Sequence, residues 1–258
     1  MQRMNRSRVW GIVVGGLVLG LGMGGRALAN HDPDVTDGEL KCQTTTSGIQ
    51  GKFVAAVAKC AIKCRQGAAK GTNPVSDCVP PYGGTTATAT CIGKAVTKAQ
   101  TDQPAKCLEC PACYTGGNCT ADAAARTTNT QAQLVAFGAL VYCDDSSSGD
   151  GLSAAELKCQ GGVAGALSKF VGAIGKCSAK CKSGEHAGSI TLGDCDPPGT
   201  NATLVACAGK ATGSAAGAID KACADKPECY VAVTTGAGWV ALAQGALNAA
   251  YPMTYCGD

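Results

Sequence analysis

The chain has 258 residues, of which 45% are hydrophobic, only 4% are aromatic and 18 are cysteine, and its formal net charge is +3. So small an excess of basic residues argues against nucleic-acid binding through neutralised phosphates. A core poor in aromatic residues buries little apolar area, so we expect disulfides, typically ~2–4 kcal/mol each, to supply much of the stability.

The first 29 residues have the pattern of a secretory signal peptide. Arginines within residues 3–8 precede an apolar run over 9–21, and residues 27–29 form a small-x-small cleavage site. That run is shorter than the ~20 residues of a membrane-spanning helix, which favours cleavage over an uncleaved anchor. Four of the 22 basic residues leave with the signal, so 18 remain against 19 acidic residues, a net charge of −1. We predict a secreted protein, extracellular or periplasmic, with no transmembrane segment after signal cleavage.

The mature part reads as two copies of one segment. Several peptides recur with matched spacing: Glu-Leu-Lys-Cys-Gln at 39–43 and 156–160, Lys-Phe-Val at 52–54 and 169–171, and Tyr-Cys at 142–143 and 255–256. Self-similarity of this kind indicates a tandem duplication. The predicted organisation is a signal peptide over 1–29, copy 1 over 30–143, a Ser/Gly-rich linker over 144–152 and copy 2 over 153–258.

Each copy is predicted to begin with a long helix. Capping boxes start it, Thr36-x-x-Glu39 in copy 1 and Ser153-x-x-Glu156 in copy 2, and Gly67 and Gly184 stand where it should end. In copy 2 the apolar residues recur at steps of three or four, as on one helix face: Cys159, Val163, Leu167, Phe170, Ile174, Cys177 and Cys181.

The rest of each copy is also predicted to be helical. A Gly/Pro-rich loop (67–84 or 184–200) leads to a helix around Cys91 or Cys207, and strand signals are nearly absent. The further elements are a short third helix over Cys107–Tyr114 or Cys223–Val231, and an alanine-rich fourth over 121–142 or 237–250. The predicted fold class is all-α, with two tandem disulfide-rich helical domains that are each a three- to four-helix bundle.

The cysteines are predicted to be structural disulfides, because a secreted chain with an even cysteine count is typical of a disulfide framework. Eight are common to both copies: Cys42, Cys60, Cys64, Cys78, Cys91, Cys107, Cys113 and Cys143 match Cys159, Cys177, Cys181, Cys195, Cys207, Cys223, Cys229 and Cys256. Cys110 and Cys119 occur in copy 1 alone and should pair with each other. An even number per copy predicts that disulfides close within each copy.

Helix geometry narrows the pairing in copy 1. Cys60 and Cys64 lie one turn apart at the far end of the first helix, where Cys78 and Cys91 can reach them. By elimination, Cys42 at the opposite end should join Cys107, Cys113 or Cys143.

Three features are candidates for sites of chemistry, and we assign a catalytic or metal-binding role to none of them. Cys107-x-x-Cys110-x-x-Cys113 has a metal-like or redox-like spacing, but Lys226 stands opposite Cys110 in copy 2. His186, in one loop, is the sole basis for a histidine-dependent site in the folded part. Residues 145–156 have the length of a calcium loop, but Asp150 occupies the position that needs glycine. We predict no catalytic residue, no metal and no cofactor.

The eight-cysteine helical plan resembles, as a class only, plant lipid-transfer and seed-storage domains. It lacks their adjacent Cys-Cys pair and their Cys-x-Cys, so no lipid-binding residues are assigned. The leading hypothesis is a non-catalytic structural or interaction protein whose loops 67–84 and 184–200 meet an unknown protein or surface partner, with self-association as a subsidiary idea. The second is an extracellular carrier of a small apolar ligand or lipid, and the third is a hydrolase or redox enzyme.

Overall fold

The fold of the described residues is all-α. A computed structural model describes residues 35–79, 82, 86–143, 153–197, 199–227, 229–230 and 233–256, so the predicted signal peptide and linker lie outside it. Among the described residues there are six α-helices, one short 3₁₀ helix (Val75–Cys78) and no strand, which confirms the fold class at this level. The helices are α1 Asp37–Ala69, α2 Ala87–Lys106, α3 Cys119–Tyr142, α4 Ala154–His186, α5 Ala202–Ala222 and α6 Gly236–Tyr255.

Both long helices begin at the predicted capping boxes. Thr36 Oγ1 accepts the Glu39 amide at 3.1 Å, and the Glu39 carboxylate accepts the Thr36 amide at 3.0 Å. Ser153 and Glu156 form the same pair of bonds, and the hydrogen bonds from the Ser153 backbone and side chain lower the pKa of the Glu156 carboxyl. Glu156 therefore has a capping role, and residues 145–152 of that candidate loop lie outside the described residues. The helices end two residues beyond the predicted glycines.

Helices α1 and α4 lie side by side in antiparallel orientation. At one end His186 Nε2 lies 2.7 Å from Asp37 Oδ1, and at the other Gly161 faces the side chain of Ile62. Between them, a Cβ on Gly51 would lie only 3.2 Å from the Cα of Gly172. Two helices of 33 residues, each about 50 Å long, thus pack backbone against backbone in their central turns.

The buried face of α4 is the predicted stripe, because all seven residues of that stripe are buried. In α1 the corresponding stripe is buried too, and there it includes the fully buried Thr46 and the half-buried Gln50. Copy 1 therefore has polar groups where copy 2 has apolar ones.

The predicted third helix is wrong. Residues 107–118 of copy 1 form turns, and the described residues of 223–230 in copy 2 are also non-helical. Pro111 lacks an amide hydrogen, and residues 115–117 adopt positive φ angles of 42°, 68° and 82°, so the chain turns directly after Tyr114. The Cys-Tyr dipeptides of both copies therefore lie in turns and not in a helix.

All 18 cysteines form disulfides, nine in total. Three bonds recur in equivalent positions of the two copies: Cys42–Cys107 with Cys159–Cys223, Cys60–Cys91 with Cys177–Cys207, and Cys64–Cys78 with Cys181–Cys195. Cys60 and Cys64 therefore bond to the two predicted cysteines, Cys91 and Cys78 respectively, and Cys42 bonds to Cys107, one of its three candidate partners. Cys110–Cys119 also forms as expected.

The prediction that every disulfide closes within one copy is wrong. Cys113 pairs with Cys256, and Cys143 pairs with Cys229, so the last two cysteines of each copy bond across to the other copy. An even number of cysteines in each copy is compatible with this arrangement, because each copy contributes two cysteines to the two bonds between the copies. The described residues of both copies accordingly belong to one compact unit, and the division into two domains stays a prediction.

A reciprocal junction and an apolar cavity as the candidate functional site

Two equivalent sets of contacts join the copies, and we call them the reciprocal junction. In each, a Cys-Tyr dipeptide of one copy (113–114 or 229–230) meets the last turn of the other copy's final helix. Tyr114 Oη donates to the Thr254 carbonyl at 2.6 Å, and Tyr230 Oη donates to the Val141 carbonyl at 2.7 Å. The two acceptors correspond, since each precedes a Tyr-Cys pair. The pairing is therefore self-complementary, as in an interface with two-fold symmetry.

A buried glutamine reinforces each set. Gln43 Nε2 lies 3.3 Å from Cys256 Sγ, and the corresponding Gln160 Nε2 lies 3.8 Å from Cys143 Sγ. Cys143 and Cys256 both end their helices in the left-handed conformation, with φ of 56° and 50°. That turn closes α3 and α6 in the same way.

The junction tyrosines are neutral hydrogen-bond donors held in the interior. Tyr114 is fully buried and Tyr230 is buried, and burial raises the pKa of both phenols. A buried hydroxyl that donates to a carbonyl stabilises the folded protein. A buried hydroxyl without a partner has lost its hydration and gains no hydrogen bond in return. The reciprocal junction therefore belongs to the packed interior of the protein, and disulfide bonds link the two copies there.

The two copies support their junction tyrosine by different chemistry. In copy 1 the Arg126 guanidinium lies 4.2 Å from the Tyr114 ring centre, and in copy 2 the Trp239 ring lies 5.0 Å from that of Tyr230. Arg126 and Trp239 correspond, since each stands sixteen residues before its Tyr-Cys pair. The buried Asp122 carboxylate binds Arg126 through two contacts and accepts from Gln103 Nε2 at 2.7 Å. Copy 1 therefore contains a buried polar network where copy 2 has an aromatic pair.

An apolar cavity of about 210 Å³ lies between the copies. Helices α1 and α3 of copy 1 and helices α4 and α6 of copy 2 all line it. The main apolar residues in its wall are Val54, Val57, Phe137, Leu167, Ile174 and Leu247. Its volume greatly exceeds the ~10–15 Å³ that one water molecule needs, and apolar walls give water few partners.

The cavity wall is more polar on the side of copy 1. Gln50, Thr130 and Gln133 line it there, and their counterparts in copy 2, also in the wall, are Leu167, Ala243 and Ala246. Thr130 Oγ1 donates to Gln50 Oε1 at 3.1 Å, which fixes the amide group. Gln50 Nε2 is buried and has no hydrogen-bond partner. The cavity thus combines apolar walls with one amide donor left unsatisfied.

A second unsatisfied donor lies toward the other end of the cavity. Tyr142 is buried, its hydroxyl has no hydrogen-bond partner, and burial raises its pKa so that the phenol stays protonated. The Arg65 guanidinium lies 5.1 Å from its ring centre. Most buried polar atoms in native proteins have a hydrogen-bond partner, so these two donors need an explanation.

The motifs considered from the sequence are placed elsewhere. The three cysteines of the Cys107-x-x-Cys110-x-x-Cys113 motif belong to three different disulfides. Cys42, Cys107 and Cys119 lie together, but they are members of two adjacent disulfides and offer no free thiolate. His186 bonds to the exposed Asp37 carboxylate and is not among the described residues that line the cavity.

The fold and the cavity define a disulfide-rich helical protein, a class that fits an extracellular, non-catalytic role. Comparisons with protein-family models, with curated proteins and with solved structures find no match to the chain. Among the described helices, none is both long and apolar enough to cross a membrane.

Proposed function

We propose that the protein is a secreted, non-catalytic carrier of a small apolar ligand, which it holds in the cavity between its two copies. The observation that carries the proposal is the apolar wall to which α1, α3, α4 and α6 all contribute. Ligand sites are typically concave, mostly apolar and furnished with a few polar groups, which describes this cavity. The sequence hypothesis of a loop-presenting structural protein does not require such a space.

The disulfides support the same proposal. Packed interiors leave few voids larger than a water molecule, since an empty apolar space forfeits contacts on its lining. Covalent bonds across the copies offset that loss and hold the walls apart in a fixed geometry. We propose that each copy folds as one half of the container and that the junction closes it.

A block of the cavity should abolish ligand binding without unfolding the protein. Ala250 is half-buried and lines the cavity, so phenylalanine at this position would occupy part of the space. Ala249 is exposed on the same helix and does not line it, so Ala249→Phe is the matched control. We expect Ala250→Phe to weaken binding of an environment-sensitive apolar dye at least tenfold and Ala249→Phe to change it less than twofold.

Native mass spectrometry and dye titration measure these effects on protein with intact disulfides. Dye binding that is absent in the unmodified protein, or equal in both variants, contradicts a carrier function for this cavity. Circular dichroism of Ala250→Phe verifies that the helices remain.

A further inference from the structure

We infer that the ligand is amphipathic, with an uncharged head group that accepts a hydrogen bond from Gln50 and an apolar tail that lies along Val57, Phe137 and Leu167. This inference rests on the proposed carrier function. It goes beyond it by fixing the chemistry of the head group and the direction in which the ligand lies.

The head-group position follows from the unsatisfied amide. Gln50 Nε2 is buried without a partner, while Gln50 Oε1 is already occupied by Thr130. Leaving such a donor unpaired costs free energy, and a ligand oxygen at this place recovers it. Asn129 and Gln133 lie on the adjacent surface of α3 and line the same part of the cavity, Asn129 being exposed to solvent. A polar head group at Gln50 therefore lies in the polar part of the cavity wall.

The charge of the head group follows from the charges in the wall. Among the described residues that line the cavity, Arg126 alone is a cation at neutral pH, and none is an acid. Arg126 is already committed: it binds the Asp122 carboxylate, donates to the Met253 carbonyl and lies over the Tyr114 ring. A carboxylate or an ammonium head group would lose hydration here without gaining an ionic partner. A hydroxyl, ester or amide loses far less.

The direction of the tail follows from the difference between the copies. In copy 2 the wall residues that correspond to Gln50 and Thr130 are apolar, Leu167 and Ala243. Further along α1, Val57 and Ala61 continue the apolar wall toward the end of the cavity where Tyr142 lies. From Thr130 to Tyr142 the helix α3 spans about 18 Å, which sets the length available to a tail.

A matched ligand series on the full-length protein tests the inference. Dodecanol, methyl dodecanoate, dodecanoate and dodecane share one chain and differ only at the head. We expect dodecanol and the ester to bind roughly 5- to 50-fold more tightly than dodecanoate or dodecane, the ratio typical of one buried hydrogen bond. Displacement of the bound dye measures all four.

The variant Gln50→Leu introduces the residue that copy 2 has at the corresponding position, Leu167. We expect it to remove the preference for dodecanol over dodecane while dodecane binding stays within threefold. Gln131→Leu, a control on α3 outside the described cavity wall, should leave the preference intact.

The outcomes separate the two proposals. If none of the four compounds binds, the carrier function itself is overturned. If all bind equally, if dodecanoate binds best, or if Gln50→Leu keeps the preference, the carrier function stands and the head-group assignment is overturned.

Discussion

A chain in which Cys113 and Cys256 are both serine should lose about 4 kcal/mol of unfolding free energy, one of the two largest losses that we expect. This disulfide spans 143 residues of sequence. With Cys143–Cys229 intact, the loop that it closes runs through parts of both copies and holds roughly 60 residues, for which chain entropy gives about 4 kcal/mol. Guanidinium denaturation without reductant measures the loss.

The matched control is the pair Cys110→Ser and Cys119→Ser. That disulfide lies beside the first one but spans only 9 residues, so its removal should cost about 2.5 kcal/mol. An equal or smaller loss from the Cys113 and Cys256 pair would show that it does not close a long loop between the copies.

The second large effect is expected at the buried ion pair of α3. Arg126→Ala should cost about 3–5 kcal/mol, because it leaves the Asp122 carboxylate buried with Gln103 as its remaining side-chain partner. The side chains of Arg126 and Asp122 are only 10% and 7% exposed, so water cannot replace the lost partner. The same change also removes the cation from the Tyr114 ring.

Two further variants make this test specific. Lys98 and Asp102 have the same i,i+4 spacing on an exposed surface, and Lys98→Ala should cost less than about 0.5 kcal/mol. Asp122→Thr introduces the residue that copy 2 has at the corresponding position, Thr235. Combined with Arg126→Ala, it removes the unpaired charge, and the double variant should be about 1–2 kcal/mol more stable than Arg126→Ala alone. A small loss in the single variant would contradict a buried network.

The difference between the copies has a physical basis in these positions. Arginine and tryptophan can replace each other at this position, since both Arg126 and Trp239 fill the space beside the junction tyrosine of their copy. A buried ion pair stabilises a protein only when both charges are paired, whereas the stabilisation from packed aromatic rings depends on the fit of their shapes. Copy 1 also has the polar part of the cavity wall, and copy 2 contributes its apolar counterpart. In the proposed carrier, the two copies contribute complementary parts of one site.

Local features of the fold were predictable from the sequence. The capping boxes, the buried stripe of α4 and the disulfides of Cys60 and Cys64 depend on residues one or a few turns apart, and helix periodicity places them. The predicted helix over Cys107–Tyr114 is wrong. Pro111 interrupts this segment, and positive φ angles at residues 115–117 turn the chain directly after it.

The partners across the copies were not predictable from the sequence. Each copy contains an even number of cysteines whether Cys113 bonds to Cys143 or to Cys256, so the count carries no information on the exchange. The antiparallel packing of α1 and α4 around Gly51 and Gly172 determines which helix ends of the two copies meet. Small residues in a helix do not by themselves specify the helix that packs against them. The cavity was missed for the same reason. One sequence signal was available: Val54, Val57 and Ala61 form an apolar face on α1, which faces the cavity.

The most direct test of the account is cleavage of the chain between the copies. A protease site inserted within residues 144–152 would divide the protein into two halves, which Cys113–Cys256 and Cys143–Cys229 should still hold together. We predict that the cleaved protein runs as one species of full mass in non-reducing electrophoresis, and as two fragments only after reduction. Separation of the halves without reductant would contradict a container closed across its two copies.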